Sequence, residues 1–67
     1  MIKIDNETLD KFIKLMEDYD EFLFFDTKEE LKKQLEMCLN TQGYWSGCSI
    51  KVYYDDKAKG FIVKNRF

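Results

Sequence analysis

The chain has 67 residues, 36% of them charged, with a formal net charge of −2 at pH 7. That length holds one domain, residues 1–67, and a domain so short buries only about 60% of the surface its unfolded chain exposes, so its core needs large apolar side chains or a partner subunit. No histidine is present, which excludes nucleophiles activated by a histidine base and removes the commonest metal ligand.

Cys38 and Cys48 lack CxxC spacing and further ligands of the kind zinc or redox chemistry requires. They read as free thiols in a reducing compartment. No stretch approaches the length of a membrane span and no apolar run follows a basic N-terminus, so the expectation is a soluble, cytoplasmic protein without membrane association. Residues with AT-rich codons are abundant, with 10 Lys, 6 Phe, 5 Ile and 4 Tyr, against 1 Ala, 1 Arg and no Pro. Such usage fits a low-GC genome, such as that of a Gram-positive bacterium, its phages or its mobile elements.

Ile2 and Ile4 alternate with Lys3, a pattern that can add a short N-terminal edge strand. Asp5 or Asn6 then caps a helix. Leu9, Phe12, Ile13, Met16 and Tyr19 recur at helical spacing and set its buried stripe. Its end is open, because no Gly or Pro occurs between Asp5 and Gln42, and Phe22 and Leu23 can extend the stripe. The run Phe22, Leu23, Phe24, Phe25 cannot share one helix face. A second helix starts at Asp26 or Thr27, with Glu29 or Glu30 as capping-box partner, buries Leu31, Leu35, Cys38 and Leu39, and ends near Asn40. Glu29 and Lys33 form an i,i+4 pair on its wet side.

Residues 40–47 read as a loop with Tyr44 and Trp45 between Gly43 and Gly47. From Cys48 to Tyr54 the chain alternates as a strand, residues 55–60 turn, and Phe61, Val63 and Phe67 mark the inner side of a returning strand. The fold class is therefore α+β: two amphipathic helices packed on a small antiparallel sheet built from a C-terminal β-hairpin.

Charge divides the chain. Residues 1–47 carry eleven acids and six lysines, whereas residues 48–67 carry two acids and five bases. Glu17, Asp18, Asp20 and Glu21 crowd the junction between the helices, with Asp26, Glu29 and Glu30 following, and can form one negative patch. With Tyr44 and Trp45 as aromatic anchors, this patch points to a small protein-binding module. The function expected is inhibition or modulation of a host defence or nucleic-acid-processing protein by steric and electrostatic occlusion, encoded by a phage or mobile element. The hairpin offers an alternative, a nucleic-acid-binding face of Lys51, Tyr53, Lys64 and Arg66, with Lys57 and Lys59 at the turn. Self-association into a homodimer is a third possibility. No cofactor motif or glycine-rich phosphate loop is present, and a chain this short leaves little room for a pocket of several hundred cubic ångströms, so no enzymatic activity is expected.

Overall fold

Helix α1 spans Asn6–Asp18 in the computed structural model of the chain, which describes residues 1–65. Asp5 is its N-cap: the backbone is extended there and Oδ1 accepts a hydrogen bond from the Thr8 amide at 2.7 Å. Hydrogen bonding from the Thr8 hydroxyl and amide holds the Asp5 carboxyl below the usual aspartate range. At the far end the chain stops the helix without a glycine. The Asp20 amide donates to the Glu17 carbonyl and the Glu21 amide to the Met16 carbonyl, with Asp20 left-handed at φ 53°. This is the Schellman arrangement, with aspartate at the position usually given to glycine. Phe22 and Leu23 consequently lie outside the helix.

Helix α2, Lys28–Thr41, runs one residue past the expected end. Thr27 caps it, its Oγ1 accepting from the Glu30 amide at 3.2 Å, and the Glu30 carboxylate accepts from the Asp26 amide. The return bond thus falls one residue earlier than in a standard capping box. Leu31, Leu35 and Leu39 are buried, at intervals of one turn. Glu29 and Lys33 form no ion pair. Among the described residues the ion pair present is Lys28 to Asp10, 2.8 Å long and well exposed, worth little in water.

Gly43, at φ 90°, turns the chain out of α2. What reads in sequence as a loop then contains a short strand β1, Trp45–Ser46, antiparallel to β2, Ile50–Asp55. Strand β3, Gly60–Asn65, completes a sheet ordered β1-β2-β3. Val52 lies opposite Val63, Tyr54 opposite Phe61 and Asp55 opposite Gly60. Asp55 Oδ1 shapes the hairpin turn by accepting from the Lys57 and Ala58 amides.

The N-terminal edge strand does not form. The Ile2 amide instead donates to Asn40 Oδ1 and the Ile4 amide to Glu36 Oε2, both at 2.7 Å, while Asn40 Nδ2 donates to the Ile2 carbonyl. Glu36 and Asn40 stand one helical turn apart. They therefore meet the alternate amides of an extended chain as a neighbouring strand would.

Both helices cover one face of the sheet. Phe12 is 0% exposed, with the Trp45 ring edge-on at 5.2 Å and the Phe61 ring at 5.5 Å. Ile4, Leu9, Met16, Leu31, Leu35, Leu39, Ile50 and Val52 complete the core around it. Phe67, expected on this face, lies outside the described residues.

Trp45→Ala is expected to lower stability by about 3 kcal/mol, close to the loss for a buried aromatic ring, when measured by urea unfolding. Asp5→Ala is expected to lower the thermal midpoint at pH 7. Because the folded-state pKa of Asp5 is depressed, the wild-type advantage is full above the ordinary aspartate pKa and disappears as pH falls through the folded value; thermal melts between pH 7 and 2 check this.

Candidate functional site

The junction between the helices is fixed by one carboxylate. The Schellman turn delivers Glu21 to the connection between β1 and β2, where Oε1 accepts from the Cys48 amide at 2.7 Å and Oε2 from the Ser49 hydroxyl at 3.0 Å. Gly47 lets this happen. A Cβ at that position would overlap the Glu21 carboxylate and lie 2.8 Å from the Trp45 ring. With the strand connection held on one side and Thr27 opening α2 on the other, residues 21–24 alternate: Glu21 and Leu23 turn inward, Phe22 and Phe24 outward.

Phe22 is 80% exposed and Phe24 85%, whereas Leu23 packs against the core. The two rings line a surface groove of about 420 Å³ together with Leu23, Gln34, Trp45 and Gly47. It lies on the seam between the helix junction and β1. Its ionisable groups are Glu21, already committed to two internal hydrogen bonds, and the Cys48 thiol.

Glu17, Asp18 and Asp20 are exposed at the end of α1, and Asp26, Glu29 and Glu30 at the start of α2. Phe22 and Phe24, which form an exposed aromatic ridge at the junction, are thus flanked by acids on both sides in the chain. Tyr44 and Trp45, adjacent in sequence, are separated by the alternation of a strand. Trp45 packs inward on Phe12 and also lines the groove, whereas Tyr44 lies against Tyr53, ring centroids 5.6 Å apart. Pairing of β2 with β3 sets Lys51 opposite Lys64 and Tyr53 opposite Ile62 on the outer face. Arg66, which the alternation would place there, lies outside the described residues. Cys38 and Cys48 are free thiols, and no group of three or more Cys, Asp or Glu side chains among the described residues could hold a metal ion. Among the described residues no helix is long and apolar enough to cross a membrane.

Sequence reasoning marks the apolar run at 22–25 without separating its members. The usable signal is that four consecutive apolar residues immediately before the cap at Asp26 or Thr27 cannot share one helix face, which leaves the segment free to turn Leu23 in and its neighbours out. Compared with models of protein families, with curated proteins and with solved structures, the chain matches none of them.

Glu21→Ala is expected to cost about 1–2 kcal/mol, since it removes two hydrogen bonds to a charged acceptor. Gly47→Ala is expected to destabilise the wild type more than the Glu21→Ala protein, in which the obstructing carboxylate is gone. A coupling of about 1 kcal/mol in the double-mutant cycle, from urea unfolding of the four proteins, checks the clamp.

Proposed function

We propose that the domain is a protein-binding module that docks through Phe22 and Phe24 onto a partner surface combining an apolar cleft with a basic rim. The exposure of these two rings carries the reading. The nine buried core side chains close without them, so the fold gives no reason for two large apolar groups to stand in water. Exposed apolar groups of this size, rimmed by polar residues, mark interaction sites. Burying both would contribute about 3–6 kcal/mol before the costs of association are subtracted.

The surrounding acids select the partner's charge. Glu17, Asp18, Asp20, Asp26, Glu29 and Glu30 create a negative field around the ridge that speeds encounter with a basic surface and opposes a second copy meeting the ridge face to face. Grooves that hold nucleic acid combine these properties, so a nucleic-acid-processing protein fits this description. Glu21 faces inward and is left out of the contact. Trp45 contributes the wall of the groove rather than a free anchor. In this reading the domain acts as a steric inhibitor or modulator, covering a partner's surface with no bond made or broken.

The test compares tagged wild type with Phe22→Ser/Phe24→Ser as bait in nuclease-treated lysate of a low-GC bacterium. A stoichiometric protein captured by the wild type is expected to be lost by the double variant at unchanged circular dichroism. Titration calorimetry with that protein should then give an affinity drop of about a hundredfold or more. Capture undiminished in the double variant would remove the ridge from the proposal.

A further inference from the structure

We infer that the outer face of the sheet is a second binding surface, separate from the junction ridge, and that its ligand is single-stranded nucleic acid. Lys51 lies directly opposite Lys64 across β2 and β3. Like charges so placed destabilise strand pairing, and neither ammonium has a carboxylate in ion-pair range among the described residues. Each lies over an aromatic ring instead. Lys51 Nζ is 4.9 Å from the Tyr44 ring centroid and Lys64 Nζ 5.3 Å from that of Tyr53.

Because the two rings are themselves neighbours, tilted by 44°, the four side chains form one cluster on this face, with the lysines opposed on β2 and β3 and each ammonium over a ring. Two adjacent cations beside two adjacent rings offer a nucleic-acid strand phosphate contacts at the ammonium groups and stacking surface for unpaired bases on the rings. A bound phosphate would also offset the repulsion between the opposed lysines. Asp55, two residues beyond Tyr53 on the same side of β2, directs its Oδ1 to the amides of its own turn. In that turn Lys57 and Lys59 are balanced by Asp55 and Asp56, so the positive charge of the face rests on Lys51 and Lys64. An acidic peptide would satisfy the lysines alone, whereas adjacent rings favour stacked bases. A duplex would keep its bases from the rings.

Fluorescence anisotropy with a labelled oligothymidylate of about 12 nucleotides tests the inference. Binding by the full chain is expected, with log K falling against log salt at a slope of about −1.4 for two phosphate contacts. Lys64→Glu exchanges a like-charged cross-strand pair for an opposite one, so folding is favoured; it should lower affinity at least tenfold and make the slope −0.7 or shallower. Tyr53→Leu should lower affinity about tenfold and Tyr53→Phe should not, while Phe22→Ser/Phe24→Ser leaves it unchanged. Absence of binding at about 50 mM salt, an unchanged slope in Lys64→Glu, or equal affinity for a polyglutamate peptide would overturn the inference. The last result would mean that the face answers to charge alone.

Discussion

Phe12 holds the fold together. Its ring, without solvent exposure, meets Trp45 from the first strand and Phe61 from the last, so a single helix residue fastens both edges of the three-stranded sheet. Edge-to-face and tilted ring contacts of this kind add to plain area burial. In a chain of this size few other contacts can share the load. The leucines of α2 and Ile50 and Val52 of β2 fill the space that the aromatic cluster defines.

Polar side chains then perform work that larger proteins give to secondary structure. Glu36 and Asn40 receive the N-terminal segment as a strand would, and Glu21 ties the end of α1 to the β1–β2 connection. Asp20 takes a left-handed conformation that glycine would adopt at lower cost. Each device consists of one to three hydrogen bonds or a single backbone conformation, so each contributes modestly. Together they fix the direction in which Phe22 and Phe24 leave the surface.

Periodicity made much of this legible in the sequence. The buried stripes of both helices, the hairpin and its turn, and the sharing of one outer face by Lys51, Tyr53, Ile62 and Lys64 all follow from spacings of 3.6 or 2. Three features escaped. The edge strand is absent because Ile2 and Ile4, despite the right alternation, give their amides to the side chains of Asn40 and Glu36, more than thirty residues away on α2, and not to a neighbouring strand. Strand β1 was hidden by its two residues and flanking glycines, and so the opposite fates of Tyr44 and Trp45 went unseen. Glu21 read as one acid among many, since nothing in composition distinguishes a carboxylate that faces solvent from one that receives an amide and a hydroxyl from a distant loop.

The order of the aromatic residues along the chain also governs how the fold can be reached. Both helices precede the first strand, and the second ring that encloses Phe12 arrives only with β3, about fifty residues later, so α1 has no complete shelter until the last strand leaves the ribosome. Until then Phe12 joins Phe22 and Phe24 among the unprotected apolar groups. Chains truncated before Phe61 would therefore keep two well-formed helix sequences and still be prone to aggregate, because a nascent helix pair cannot supply the ring that only the hairpin carries.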